Sequence, residues 1–187
     1  MTQFIALCGY PKVGKSEVQD VIRGLYGFTP VDDSQPLREA AKILYGLTDW
    51  HVSTQAGKAS TIRVGTQDKT IRKVLGDLGC YFETEDEFHF PRLAVSSSLK
   101  NDRHGRFVFA SVRRNQPRFF KNLGDSLVLE VTRNGCKAEG VFDEYDRDAV
   151  DLTISNDYDP DHPAASRQDL EARVKALLDP ILIKRAA

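Results

Sequence analysis

Apolar positions along this chain follow two rhythms. "FIALC" (4–8), "RFVFASV" (106–112) and "SLVLEVTR" (126–133) are nearly continuous apolar runs, suited to strands buried on both faces. "VDLTISN" (150–156) alternates, and "FTPVDD" (28–33) is a shorter run of the same kind, so five strands are predicted in all. Between them the period becomes helical. Val18, Val21, Ile22 and Leu25 predict a helix from Lys15 to Leu25, with Gly24 and Gly27 marking its exit. Leu37, Ala40, Ala41, Ile43 and Leu44 form the apolar face of a helix opened by Pro36. "TIRKVLGDLGCYF" (70–82) and "EFHFPRLAVSSSLK" (87–100) predict two more helices in an otherwise polar middle. "QPRFFKNLG" (116–124) reads as a short helix closed by Gly124. "SRQDLEARVKALLDPIL" (166–182) reads as a terminal helix with Ser166 as its N-cap. Residues 134–149 form a charged, glycine-punctuated loop. This order of strands and helices predicts an α/β fold with a mainly parallel five-stranded sheet.

Composition narrows the picture only a little. A chain of 187 residues fits one domain with a modest insertion, and a net charge of −1 argues against gripping nucleic acid by bulk electrostatics. No apolar run approaches the length of a membrane helix, and the first residues lack the layout of a secretion signal. Cys8, Cys80 and Cys136 are widely spaced and odd in number, which suits reduced thiols in a cytoplasmic protein. The four histidines are scattered, so no zinc cluster is visible. Asp157, Asp159 and Asp161 have the first three spacings of a calcium loop, but the glycine and the closing glutamate are missing.

The chemistry begins at residues 9–16. Gly9, Tyr10, Pro11, Lys12, Val13, Gly14, Lys15 and Ser16 fit G-x-x-x-x-G-K-[ST], after a predicted strand and before a predicted helix. Glycines let backbone N–H groups turn inward around a polyphosphate, and the helix N-terminus adds its dipole. Lys15 would reach the outer phosphates and the Ser16 hydroxyl would be a ligand of Mg²⁺, so the motif predicts a nucleoside triphosphate site. No guanine-specific NKxD motif follows, nor a strand ending in Asp-Glu of the kind found in many ATPase motors. Arginines crowd the middle and later chain, as phosphoryl transfer between two anionic ligands requires. Arg113 and Arg133 stand out, because each follows a predicted strand at the end where open α/β sheets bind ligands.

The chain resembles the phage-type deoxynucleoside monophosphate kinases, a branch of the P-loop nucleoside monophosphate kinases, over nearly its whole length. The resemblance runs from the glycine loop through "SQPLREAAKILYGLTD" (34–49), "TIRKVLGDLGCYF" (70–82), "FVFASVRRNQ" (107–116), "LVLEVTRNG" (127–135) and "DLTISNDYD" (151–159). It implies a three-layer P-loop kinase fold with a core of 1–47 and 106–187. It also implies a helical acceptor-binding insertion at about 48–105 and a short lid at about 134–149. The implied reaction moves the γ-phosphoryl group of ATP, with Mg²⁺, to a deoxynucleoside 5′-monophosphate. Lys15, Arg113, Arg133 and Asp33 are the catalytic candidates, and Arg72, Arg63, Asp33 and Arg113 the acceptor contacts. The implied setting is the cytoplasm of an infected host, and members of the family are often dimers. Two positions depart from the family pattern: Gln35 and Ser111 stand where aspartates are usual. Asp32 or Asp33 would then supply the missing charge, or the metal would rest on Ser16 and the phosphates, or activity would be weakened. Asp33 is equally suited to capping the helix that Pro36 opens. Two alternatives stay open: a kinase acting on a hydroxymethylated base within phage DNA, and a nucleotide-binding protein without turnover.

Overall fold

The computed structural model describes residues 3–157, 159 and 161–186. Five strands form the main sheet: β1 (Gln3–Cys8), β2 (Thr29–Val31), β5 (Arg106–Phe109), β6 (Ser126–Thr132) and β7 (Leu152–Ser155). Their spatial order is β2-β5-β1-β6-β7 and all four pairings are parallel. β1 is therefore central. The chain leaves it on one side through β2 and returns beside it as β5, then crosses to β6 on the other side. That reversal opens a crevice at the carboxyl end of β1, where α/β sheets bind their ligands.

Helices cover both faces, giving three layers. Ile5 and Leu7 of β1 pack with Leu129 and Val131 of β6 under α1 (Lys15–Tyr26) and α8 (Pro163–Ala186). Phe4, Ala6 and Cys8 point the other way, against α6 (His89–Asn101) and α7 (Gln116–Lys121). The period-two alternation thus divides one apolar run between two cores, as a strand covered on both sides requires. A third cluster joins α2 (Gln35–Tyr45), α3 (Asp49–Ser53), α5 (Ile71–Glu85) and Phe90 of α6, with α4 (Gln55–Ala59) packed beside α3 and α5.

Several predicted boundaries shift. The third strand ends at Phe109, because the chain then turns over the sheet edge and its N–H groups find side chains instead of a ladder. Gly124 closes no helix: α7 stops at Lys121, and the Ser126 hydroxyl donates to the carbonyls of Phe120 and Leu123. The terminal helix begins at Pro163, so Ser166 lies in its first turn, where its hydroxyl accepts the Asp159 N–H at 2.9 Å. In the middle, an antiparallel hairpin of β3 (Thr61–Val64) and β4 (Gln67–Thr70) was not foreseen. Its faces are mostly exposed and polar, and only the turn glycine Gly65, at φ 58°, marks it. Among the described residues, no helix is long and apolar enough to cross a membrane.

Candidate active site

The loop between β1 and α1 has the backbone its sequence requires. Gly9 and Gly14 sit at φ 139° and 90°, and Lys12 also takes a positive φ of 69°. A Cβ on Gly9 would overlap the Val131 carbonyl, and one on Gly14 would overlap the Asn156 amide. Asn156, just past β7, donates from Nδ2 to the Val13 carbonyl at 3.0 Å and pins the loop from below. The Val13 side chain is buried in the core, so only its backbone serves the loop. Lys15 bends back over the loop and donates to the carbonyls of Gly9 at 2.6 Å and Tyr10 at 2.9 Å. Burial, followed by the nearby Arg113 guanidinium, lowers its pKa to about 8.

Two spaces adjoin above this loop. The smaller, of about 250 Å³, is lined by Pro11, Lys12, Gly14, Lys15 and Ser16 from the loop. The larger, of about 910 Å³, runs between α2, α4, α5 and the 134–149 segment. Ser16, Gln55, Lys58, Arg72, Ser111 and Arg113 line both. Three cations and no carboxylate stand in that shared wall.

Each cation is placed by a different piece of chain. Arg113 follows β5; its backbone N–H donates to Gln116 Oε1 at 3.1 Å, and Gln116 Nε2 donates to the buried Glu83 of α5 at 2.6 Å. Glu83 also holds Arg114 at 2.6 Å, and Arg114 takes a φ of 48° in the same turn. α5 and the Arg113 turn are thus tied together by one largely buried network. Arg72, in the first turn of α5, donates to Gln55 Oε1 at 2.7 Å. Lys58 stands on α4 and was not anticipated, nor was Arg38 of α2, which lines the larger space.

The 134–149 segment lies along the cleft and presents carboxylates to it. Glu139 pairs with Lys12 at 2.8 Å through one oxygen and with Arg72 at 2.9 Å through the other. The Lys12 ammonium, aided by Arg72, holds the Glu139 carboxyl below its usual range. Asp143 pairs with Arg113. Between them the Phe142 ring rests over Gly76 and Gly79 of α5, where a Cβ on Gly79 would overlap it. Further along, the Arg147 guanidinium lies over the Tyr10 and Tyr145 rings and donates to the Tyr10 hydroxyl at 3.1 Å.

Of the expected site residues, Lys15, Ser16, Arg72 and Arg113 come together at the junction. Asp33 sits one layer behind it, buried, accepting the Ser111 backbone N–H at 3.0 Å. It caps no helix: Ser34 is the N-cap of α2. Asp32 is drawn away to Arg38 and the Ser34 hydroxyl. Gln35 is exposed and lines neither space, so that departure lies away from the cleft. Two expected contacts are not brought in. Arg133 donates to the carbonyls of Asn156 at 3.1 Å and Lys12 at 3.2 Å, buttressing the loop from outside both spaces. Arg63 is carried off on the hairpin, exposed and paired with Asp68 at 3.1 Å.

The donor set suits magnesium better than a metal caged by protein. Among the described residues no group of three His, Cys, Asp or Glu side chains converges on one point. A hydroxyl at the junction, with one buried carboxylate behind Ser111, matches an ion that keeps waters and shares its shell with phosphates. The calcium-like aspartates are used otherwise: Asp157 pairs with Arg173 at 2.7 Å and Asp159 with His162 at 2.9 Å.

Fold and loop together make a three-layer α/β protein with a P-loop between the central strand and α1. No family model matches the sequence, and no curated protein matches it. Among solved structures, 24 chains match. They include a dephospho-CoA kinase from Campylobacter jejuni, 12% identical, which aligns over 96% of this chain and 99% of its own with a TM-score of 0.50. At that identity the likeness is one of fold.

Proposed function

We propose that the protein is an ATP-dependent kinase that transfers the γ-phosphoryl group to a deoxynucleoside 5′-monophosphate. One observation carries the reading. The triphosphate-sized space over the glycine loop opens into a larger cleft through a wall that holds Ser16, Lys58, Arg72 and Arg113. Two anionic ligands seated in those spaces would meet across a cationic boundary, which is what direct transfer between them needs.

In this reading the loop amides and Lys15 hold the β- and γ-phosphates, and Arg113 and Arg72 hold the acceptor phosphate. An acceptor oxygen attacks the γ-phosphorus as the bond to the β–γ bridging oxygen breaks, leaving ADP and a diphosphate. The attacking oxygen is already ionised, so no general base is required. Magnesium, held by the Ser16 hydroxyl with Asp33 behind it, supplies neutralisation of phosphate charge when bound. The carboxylates Glu139 and Asp143 occupy the cations while no phosphate is there, and give way when the ligands arrive. Asp33 supplies the negative charge absent at Ser111, which supports turnover over a binding-only role.

The test is to incubate the protein with MgATP and each nucleoside monophosphate, canonical and modified, with dephospho-CoA and hydroxymethylated DNA in parallel. Diphosphate formed from a deoxynucleotide supports the proposal. Label passing only to dephospho-CoA or only to polymer DNA reassigns the acceptor, and ATP binding without any transfer overturns the kinase reading.

A further inference from the structure

Among the described residues, Lys58 is the one cation of the shared wall that no carboxylate pairs with. Arg72 pairs with Glu139 and Arg113 with Asp143, while Arg38 beyond them pairs with Asp32. Lys58 has no carboxylate or hydrogen-bond partner among the described residues, and the charges acting on it are Arg38, Arg72 and Arg113. Burial, reinforced by those three guanidinia, lowers its pKa. A half-buried ammonium facing three like charges is unfavourable by itself, and an anion placed among them adds an attraction to each cation that offsets their mutual repulsion.

Its position is also built. Gly57 is buried, and a Cβ there would overlap the Trp50 carbonyl, so α4 lies directly on the backbone of α3. Thr54 caps α4 by accepting the Gly57 N–H at 2.9 Å, and the Lys58 N–H reaches the Thr54 carbonyl at 3.0 Å. This packed turn delivers the Lys58 stem to the one wall that both spaces share. A lysine suits such a place, since its compact ammonium on a flexible stem can follow a charge over a short distance, unlike a planar fork locked to one partner.

We infer that Lys58 is the cation shared by the donor and acceptor phosphates, contacting the phosphoryl group as it passes from one space to the other. The inference rests on the proposed transfer and adds to it a residue on an element that carries no recognisable motif.

The test compares the full-length protein with Lys58→Met and Lys58→Arg. Each is titrated with a non-hydrolysable ATP analogue and magnesium. The loaded protein is then titrated with inorganic phosphate as a stand-in for the acceptor anion, and turnover is measured with the accepted monophosphate. Lys58→Met is expected to bind the ATP analogue measurably but about threefold more weakly than wild type, to lose phosphate affinity about tenfold and to lose kcat about 100-fold. Retained binding of the analogue shows that the variant is folded. Lys58→Arg should recover phosphate binding but only part of kcat. Phosphate binding and turnover in Lys58→Met within twofold of wild type would overturn the inference and leave the kinase reading standing. A wild-type protein that transfers to no acceptor, while Lys58→Met loses phosphate binding, upholds the shared ligand and overturns the kinase reading instead.

Discussion

The carboxylate of Asp33 accepts the backbone N–H of Ser111 at 3.0 Å, so the acid that is absent from position 111 is present in space one strand away. β2 and β5 are parallel neighbours, and their carboxyl ends bring the two residues together. Asp33 is buried, and burial raises its pKa to about 6. A carboxyl whose folded-state value lies above its ordinary one holds its proton more firmly in the folded chain. Stability therefore falls as pH rises from about 4 to about 6 and stays lowered above that.

Asp33→Asn should stabilise the protein at pH 7.5 by roughly 1–3 kcal/mol, because the amide still accepts the Ser111 N–H without burying a charge. Near pH 4 the two proteins should converge. Urea denaturation at both pH values measures the difference, and equal gaps at the two would refute the buried-charge account. Turnover should fall by about 100-fold or more.

Lys15 supplies a pH dependence of the opposite origin. With its pKa lowered to about 8, it is charged below that value and partly neutral above it. A bound phosphate favours the charged form, so ATP affinity should be full below about pH 8 and decline as pH rises. Binding near pH 8 should take up protons, visible as heats that differ between buffers of unlike ionisation enthalpy. Constant affinity from pH 7 to 9.5 would exclude Lys15 as a phosphate contact. Lys15→Ala should cost about a thousandfold or more in transfer while leaving the thermal midpoint within a few degrees.

Arg113→Ala should separate chemistry from folding. Turnover should drop by about 100–1,000-fold. Asp143, which is 9% exposed, would lose its partner, at about 3 kcal/mol of stability. Adding Asp143→Asn should return most of the stability and none of the turnover. Recovery of both would reduce Arg113 to a structural role.

Glu139 holds a loop lysine and an α5 arginine at once, and in the proposed reading a phosphate would compete with it for both. Glu139→Gln should release them and tighten binding of a non-hydrolysable ATP analogue by about three- to tenfold at low salt, the gain shrinking as salt rises. Weaker binding in the variant would mean that the carboxylate assists the ligand and does not compete with it.

The glycine loop was legible because its demands are local: Gly9 and Gly14 answer backbone angles and close approaches, and Lys15 folds back over the carbonyls of its own loop. The sheet was legible for a related reason, since strands covered on both faces must be continuously apolar. The cations of the cleft were only half visible. Arg72 and Arg113 lie on or beside strongly patterned elements, whereas Lys58 sits on a single turn whose placement depends on Gly57 meeting α3. Glu139 and Asp143 read as loop charges, and only the folded chain shows which cations they face. Arg133 and Arg63 mark the converse, residues of the right type that carbonyls or a neighbouring aspartate had already taken.

The contact of Phe142 with Gly76 and Gly79 fixes how low the ceiling over the cleft can hang. An aromatic ring resting on bare main chain has reached a floor, and the floor belongs to α5. The height of that ceiling is therefore encoded in a single hydrogen, the one that Gly79 carries in place of a Cβ. A bulkier residue at Gly79 would act as a shim, lifting the roof by its own thickness without altering a single charged group.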